Sequence, residues 1–389
     1  MKTQISKKVT FTILSISLLT VMAGAAMAPA LGTIREHFSS SSDILIQFVV
    51  SLPALFIIIT NLWFSYICRF FKTKTIAVVG LLLYVTSGSV AFFADNMVLL
   101  LILRSLLGIS VGLIMPLSTG LLSFYFPPKE QAKLMGLAGA MSQMGGVIAT
   151  MLAGLLANIA WNYAFLVYLL GLIALILVLA YLPNDRITAS GNISIKSLSK
   201  FHPSVTGMLF VMVIFFIFPT NFAIISSQTT NLSSDEITII MVGLDLVAVF
   251  MGLLFGKIMN VMPKIMKYFA PLLFMFGYIC YAYGVSSAYL IVGSLLIGMA
   301  NGIAIPYLNT IASIKGGKDA ATTVMPLISA SLYLGQFISP IIVNPLSKAL
   351  FNQNDISSPY KIGIMICILF LIQTFLTRNY QSLPPRNNK

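Results

Sequence analysis

The sequence predicts an all-α membrane protein with twelve transmembrane helices in two pseudo-symmetric six-helix halves. Composition supports this first, because 58% of the 389 residues are hydrophobic and only 8% are charged. A water-facing surface carries roughly a quarter charged residues. Apolar runs long enough to cross about 30 Å of hydrocarbon also recur along the whole chain. Finally, a glycine and proline pattern in one half returns 190 residues later in the other.

The apolar runs are expected to be helices, because backbone groups in lipid must satisfy their hydrogen bonds within the segment. In chain order the twelve spans are predicted at residues 9–30, 44–66, 75–94, 99–123, 134–158, 162–182, 205–226, 237–256, 268–286, 288–312, 321–347 and 361–378. The first run also fits a cleavable signal peptide, since two lysines precede it and small residues end it. We interpret it as an uncleaved helix, because its removal would disturb the alternation of charge between loops.

Lysine and arginine are distributed unevenly between alternate loops, and the net charge is +13. Only Arg35, Lys348 and Lys361 fall in one set of loops, and Arg104 lies within a helix. The other nineteen of the 23 fall in the termini and the opposite set of loops. This asymmetry follows the positive-inside rule and predicts a multi-pass protein of the cell (inner or plasma) membrane with both termini cytoplasmic. The basic charge is therefore topological, and nucleic-acid binding is not expected.

The longest polar stretch lies near the middle of the chain and is rich in serine, asparagine and lysine. Such a stretch is typical of a hydrated linker. We therefore predict an N-terminal six-helix half at 1–183, a cytoplasmic linker at 184–204 and a C-terminal six-helix half at 205–389.

The internal repeat consists of small residues and prolines at one constant offset. The pairs are Gly108 and Gly298, Gly112 and Gly302, Pro116 and Pro306, and Gly145 and Gly335. The glycines predict close helix packing, since missing side chains let two backbones approach. The prolines are expected to kink their helices, which would suit gating. Duplicated halves are typical of secondary transporters that hold substrate near the midplane between the halves.

Several segments resemble the drug/proton antiporters of the major facilitator superfamily. Arg104, followed by Gly108 and Gly112, is similar to the signature of the family's fourth helix. Similar matches occur at the first-helix exit, the start of the sixth helix and the eleventh helix, at residues 28–31, 161–165 and 335–340. The resemblance covers essentially the whole chain and implies the major facilitator fold and transport by alternating access.

The chain departs from the family pattern in the loop between the second and third helices. Cys68 stands where the family has an aspartate that latches the cytoplasmic gate, although the basic residues Arg69 and Lys72 remain. The equivalent loop in the second half, which includes Asn260, keeps the pattern better. In the fifth helix Thr150 replaces the usual proline, which weakens the case for export against uptake.

Asp245 is the one acidic residue of ten in the middle of a predicted helix. A carboxylate in hydrocarbon costs roughly 2.5–3.5 kcal/mol, so it should face a cavity or a partner. Its burial would raise its pKa and let it exchange a proton at working pH. We predict that Asp245 couples protons to transport; the alternative is a paired or protonated structural aspartate.

Arg104 is the one basic residue deep in a helix. It is a candidate for binding an anionic substrate, and the equal alternative is an arginine that hydrogen-bonds neighbouring helices and fixes the fold. Other polar side chains in the helices are candidates for substrate binding or for bonds between helices: Asn221, Gln143, Asn301, Tyr307, Tyr333 and Gln336.

The sequence contains no HExxH motif, no phosphate-binding loop and no nucleophile constellation, so neither an enzyme nor a cofactor is expected. The favoured function is proton-coupled efflux of small amphipathic compounds by a monomer in the lipid bilayer. The first alternative is proton-coupled uptake or exchange of a small metabolite, such as an organic anion gripped by Arg104 or a sugar. The second is a membrane sensor or scaffold that transports nothing, which the near-absence of extramembrane domains disfavours.

Overall fold

The computed structural model describes residues 7–126, 128–186, 195–229, 232–262, 265–284, 286–316, 320–352 and 355–377. In these ranges the regular structure is helical. The helices are α1 (Lys7–Ala25), α2 (Leu31–His37), α3 (Asp43–Phe70), α4 (Thr73–Val90), α5 (Met97–Tyr125), α6 (Pro128–Ala157), α7 (Gly171–Tyr181), α8 (Ile195–Thr229), α9 (Ser234–Val261), α10 (Met266–Tyr283), α11 (Ser287–Gly316), α12 (Ala320–Leu350) and α13 (Ser358–Leu376). Two 3₁₀ segments, Ala91–Phe93 and Trp161–Leu170, complete the set.

Eleven of the described helical segments are long and apolar enough to cross a membrane. They correspond in order to eleven of the twelve predicted spans. The remaining predicted span is α10, an 18-residue helix whose hydropathy is lowered by Lys267 and its tyrosines. The predicted all-α membrane fold is therefore confirmed.

Three features differ from the predicted helix bounds. The predicted first span, 9–30, ends early at Ala25, and the short helix α2 follows it. The sixth span begins as a 3₁₀ helix and continues as α7. Helix α8 begins at Ile195, inside the segment 184–204 that we predicted as a linker. In the sequence, apolar residues recur every three positions at 195, 198 and 201, a spacing that favours a helix in this segment.

Local sequence sets two of the helix starts. Asn96 precedes α5, and its side-chain oxygen accepts a hydrogen bond from the backbone N–H of Leu99 at 2.8 Å. Ser233 and Glu236 form a capping box at the start of α9: the Ser233 N–H donates to Glu236 Oε2 at 2.8 Å, and the Glu236 N–H donates to Ser233 Oγ at 3.3 Å. Each arrangement satisfies backbone donors that a helix N-terminus leaves without partners.

The chain divides into two compact units. The first comprises Met1–Ser190 together with Phe222–Val242, and the second comprises Gly191–Asn221 together with Gly243–Lys389. The end of α8 and the start of α9 thus pack with the first six spans, and Asn158 donates a hydrogen bond to Asp235 there. The predicted boundaries of the two halves in sequence stay a prediction.

The repeated glycines make close helix contacts in both units. In the first unit Gly108 of α5 lies against the carbonyl oxygen of Pro53 on α3, and Gly112 lies against Thr60, where an added Cβ would come within 2.5 Å of the threonine Cβ. No side chain larger than hydrogen fits at either glycine without moving α3.

The second unit repeats this packing in matching register. Gly298 of α11 lies against the carbonyl oxygen of Leu244 on α9, 2.5 Å from an added Cβ, and Gly302 lies against the carbonyl oxygen of Ala248. The partner carbonyls of Gly108 and Gly298, on Pro53 and Leu244, are 191 residues apart. The contacted surfaces thus repeat at nearly the offset of the glycines, 191 residues against 190.

The third glycine pair behaves in the same way. Gly145 of α6 lies against the backbone of Leu18 on α1, and Gly335 of α12 lies near the carbonyl oxygen of Leu209 on α8, 2.9 Å from an added Cβ. The two pseudo-symmetric halves are thus visible as equivalent contacts within each unit.

Candidate functional site

Arg104 is enclosed in the first unit, with 1% of its surface exposed. Its Nε donates to the carbonyl oxygen of Val49, Nη1 to the Tyr168 hydroxyl and Nη2 to the carbonyl oxygen of Ala23, each at 2.6 Å. The guanidinium therefore ties α5 to α3, to α1 and to the 3₁₀ segment. Because these bonds occupy all three nitrogen atoms, the geometry favours the alternative in which Arg104 fixes neighbouring helices over the one in which it binds an anion.

The second unit carries a hydroxyl network at the equivalent place. Ser294 stands 190 residues after Arg104 and is buried. Its hydroxyl bonds to the hydroxyl of Tyr281, which also donates to the carbonyl oxygen of Leu290 at 2.9 Å. One unit thus has a charged core and the other a neutral one.

Contacts between α9 and α11 fix the direction of Asp245 in the second unit. Leu244 meets Gly298, and Ala248 meets Gly302, so the two helices run parallel. At about 100° per residue, Asp245 is rotated roughly 80° to one side of the α9 contact line. Asp245 is half-buried there.

Asn301 of α11 projects on the same side of the helix pair as Asp245. It precedes Gly302 and is rotated roughly 80° from the α11 contact line in the opposite sense. On two parallel helices that face each other, opposite rotations point to the same side. Asp245 and Asn301 therefore lie side by side, within about one helical turn along the axis.

The Asn301 side chain leaves a buried acceptor unused. The residue is 7% exposed, and its Oδ1 atom has no hydrogen-bond partner in the described part of the chain. A buried polar group without a partner costs about 1–3 kcal/mol. The side chain is thus suited to accept a hydrogen bond from a bound molecule that carries an N–H or O–H group.

The other predicted binding residues lie on several helices. Asn221 is buried in α8, and its Nδ2 donates to the carbonyl oxygen of Ile217 at 2.9 Å and to Thr220 Oγ1 at 3.1 Å, so part of its capacity is used within its own helix. Tyr307 and Gln336 are buried, whereas Gln143 and Tyr333 are half-buried.

The residues predicted to act in gating are placed as follows. Pro116 and Pro306 lie inside α5 and α11. Arg69, in the last turn of α3, and Lys72, just before α4, are exposed. The side chain of Asn260 lies outside the described residues.

Several buried or half-buried hydroxyl groups were missed by the sequence interpretation. Tyr84 and Tyr278 each donate to a carbonyl oxygen of a neighbouring helix, on Leu19 at 3.4 Å and on Ile214 at 2.5 Å. Ser142 of α6 donates to the carbonyl oxygen of Ser17 on α1 at 2.8 Å. Isolated hydroxyls in apolar helices were the available signal, but nothing in the sequence identified their partners. In the described ranges no three His, Cys, Asp or Glu side chains are grouped to hold a metal ion.

Comparison with known sequences places this architecture among transporters. The family model of the Major Facilitator Superfamily matches residues 13–340. The quinolone resistance protein NorA of Staphylococcus aureus (strain N315) is 25% identical over 332 residues, covering 79% of this chain and 81% of that protein. The multidrug efflux pump SdrM of the same strain is 24% identical over 202 residues, covering 51% of this chain and 45% of that protein.

Solved structures share the fold over nearly the whole length. A bacterial homolog of the human lysosomal transporter Spinster, in an inward-facing and unoccupied conformation, matches with a TM-score of 0.75 and 16% identity, covering 97% of this chain and 98% of that chain. The nucleoside transporter NupG matches with a TM-score of 0.77 and 11% identity, covering 96% and 99%. Since the family model spans most of the sequence, this chain belongs to the Major Facilitator Superfamily of membrane transporters.

Proposed function

We propose that the chain is a proton-coupled exporter of small amphipathic compounds that works by alternating access, with Asp245 as its protonation site. The placement of Asp245 beside Asn301 supports the proposal most directly. A carboxylate and an unused amide oxygen on one side of α9 and α11 form an acceptor-rich surface. Such a surface suits a substrate with hydrogen-bond donors or a positive charge.

The relatives support efflux as the direction of transport. NorA is named for quinolone resistance and SdrM for multidrug efflux, and both are similar to this chain over long segments. A proton that crosses the membrane is worth about 2.3 kcal/mol per 100 mV, which sustains a substrate gradient of roughly fiftyfold. One titrating carboxylate is sufficient for such coupling.

The alternative of anion uptake depends on Arg104 and has less support. All three nitrogen atoms of Arg104 already donate, to Val49, Tyr168 and Ala23, and the side chain is 1% exposed, so a carboxylate would have to reach an enclosed group. An uptake carrier for a neutral sugar would not need Arg104. Thr150, which replaces the proline usual in the fifth span of the antiporters, is compatible with such an uptake carrier.

The test is Asp245→Asn in inverted vesicles, with and without an imposed pH gradient. The amide keeps the shape and removes the proton site, so the variant should reach the membrane but fail in gradient-driven accumulation. Asp245→Glu should keep partial activity with a shifted pH profile. A panel of cationic, neutral and anionic amphipathic compounds reports the substrate class in the same assay.

Asp235→Asn is the matched control, since Asp235 is an exposed acid near the start of the same helix. It should leave coupling unchanged. Undiminished, gradient-dependent transport by Asp245→Asn would remove Asp245 from the mechanism. Equal loss in both variants would show that acidic charge in α9 matters in general.

The proposal includes an orientation with both termini and the segment 184–204 on the cytoplasmic side. It rests on the distribution of lysine and arginine between loops. Reporter fusions within residues 187–194 test this orientation. Activity of a periplasmic reporter at that position would show that the segment lies on the opposite side of the membrane.

A further inference from the structure

An open cleft of about 240 Å³ lies beside the start of α4. Its walls are formed by Lys74, Thr75, Val78, Val79 and Asn184. Drug-sized ligands occupy pockets of roughly 300–1,000 Å³, so this cleft is small for such a ligand. It has room for a headgroup.

The polar end of the cleft offers hydrogen-bond donors that the protein leaves unused. Lys74 Nζ donates to the carbonyl oxygen of Leu179 at 2.7 Å, which leaves two of its three N–H groups available. In the described part of the chain the side chains of Thr75 and Asn184 make no hydrogen bond, and no carboxylate pairs with Lys74. An ammonium with two unused N–H groups, a hydroxyl and an amide thus line the same cleft.

The neighbouring acid is engaged elsewhere. The Asp185 carboxylate accepts a hydrogen bond from the Tyr125 hydroxyl at 2.8 Å, and its carbonyl oxygen accepts one from the backbone N–H of Thr73 at 2.9 Å. Burial and this carboxylate raise the pKa of Tyr125, so the tyrosine keeps the proton that it donates. These bonds hold the segment after α7 against α4 and α5 and keep Asn184 at the cleft.

The other end of the cleft is apolar and faces the surroundings of the span. Val79 is 51% exposed, and Leu82, one turn further along α4, is 47% exposed. Exposed apolar side chains within a membrane span contact lipid chains. The cleft therefore changes from cationic and polar to apolar along the membrane normal, as a phospholipid does.

We propose that this cleft binds one anionic phospholipid, with its phosphate on Lys74, Thr75 and Asn184 and an acyl chain along Val78, Val79 and Leu82. The lysine end belongs to the side of the membrane where basic residues concentrate, and anionic lipid is attracted to such segments. This proposal does not depend on the transported substrate. A lipid in the cleft would tie the loop between α3 and α4 to the segment after α7.

The test uses the full chain reconstituted with phosphatidylcholine alone or mixed with phosphatidylglycerol. After detergent extraction, native mass spectrometry measures how much protein retains one phosphatidylglycerol. Lys74→Gln should lower that retention about tenfold, as expected for the loss of a charge-assisted hydrogen bond. Glutamine can still donate to Leu179, so the fold should persist, as size-exclusion chromatography would show.

Two further variants make the result specific. Val79→Trp fills the apolar end without changing charge and should also lower retention. Lys257→Gln removes an exposed lysine at the end of α9, in the other unit, and should leave retention unchanged. Unchanged retention in both cleft variants, or an equal loss in Lys257→Gln, would overturn the proposal. Displacement of the lipid by an equal concentration of inorganic phosphate would instead assign the site to free phosphate.

Discussion

The two units build the same helix packing around different polar cores. In both, glycines on the fourth helix of the half press against carbonyls of the second, and a glycine on the fifth presses against the first. Yet Arg104 fills the centre of the first unit with a charge, whereas Ser294 and Tyr281 fill the second with hydroxyls. The repeated backbone contacts therefore set the fold, and the polar residues between them are open to specialisation.

The polar groups of the two cores differ in whether they bond neighbouring helices or remain available to a bound molecule. The buried cation of the first unit donates hydrogen bonds to neutral acceptors within the protein, on Val49, Tyr168 and Ala23. Within the described residues, the second unit leaves the buried Asn301 oxygen without a hydrogen bond, beside Asp245, and the first unit leaves the Asn61 oxygen of α3 without one. The second unit thus differs in having its unused amide oxygen next to a mid-helix carboxylate.

Arg104→Ala should cause the largest loss of stability. It removes the Arg104 donor from the buried carbonyl of Val49, at a cost of about 1–3 kcal/mol, and leaves the Ala23 carbonyl with the Tyr168 hydroxyl alone. It also adds a cavity, so we expect a loss of about 3–6 kcal/mol. Ser294→Ala, the equivalent change in the second unit, should cost about 1 kcal/mol. Heating the detergent-solubilised protein and measuring the monodisperse fraction compares them. Similar losses in both would contradict the contrast between the cores.

Gly145→Ala should cause the next largest loss of stability. That loss should exceed the loss caused by Gly335→Ala, the equivalent change in the second unit. The new Cβ at 145 overlaps the carbonyl oxygen of Leu18 deeply. At 335 the overlap is smaller, because the nearest atoms are the Cβ of Met212 at 2.7 Å and the carbonyl oxygen of Leu209 at 2.9 Å. We expect losses of about 2–3 and about 1 kcal/mol.

The neighbouring Gly146→Ala is the control for helix propensity. Its new Cβ meets the Val21 side chain at 3.0 Å and the Cβ of Ala25 at an ordinary 3.8 Å, so alanine there should be close to neutral in the same thermal assay. If Gly335→Ala proved the more damaging of the pair, the two glycine contacts would not be equivalent in the way described.

Asn301→Leu should raise the stability of the protein, in contrast to the substitutions above. Replacing an unpaired buried amide by an apolar side chain of similar size should stabilise the protein by about 1 kcal/mol. Transport should fall, because the acceptor beside Asp245 is gone. Thermal stability and vesicle transport measured on one preparation test both parts. A destabilised variant with normal transport would make Asn301 a structural residue.

The smallest difference in stability is expected between Tyr278→Phe and Tyr84→Phe. These tyrosines occupy equivalent places, but the bond to Ile214 is 2.5 Å long and the bond to Leu19 is 3.4 Å. We expect a loss of about 1 kcal/mol for the first and under 0.5 kcal/mol for the second. Thermal melts resolve the pair if each is measured against the parent protein.

Much of the fold could be predicted from the sequence because it depends on composition and spacing. The glycines at one offset, such as Gly108 and Gly298, predicted close packing, and that packing is present in both units. The early start of α8 was not predicted, because the serine and lysine residues there are typical of a linker, although the apolar residues at 195, 198 and 201 have a helical spacing.

The site was less accessible to prediction. Asp245 could be identified from the sequence, because placing an acidic side chain within an apolar membrane helix costs free energy. The partners of Arg104 could not be foreseen, since two of them are backbone carbonyls, which every residue carries. The unpaired oxygen of Asn301 emerges only when each buried acceptor is matched to a donor in three dimensions.

The guanidinium of Arg104 also has an electrical consequence. The group carries a positive charge, and bonds to α1, α3 and the 3₁₀ segment fix it to its unit. Any rocking of that unit within the membrane would move one elementary charge through part of the voltage drop. A full crossing is worth about 2.3 kcal/mol per 100 mV. Transport would therefore produce a transient current and respond to voltage even when the exchange itself carries no net charge.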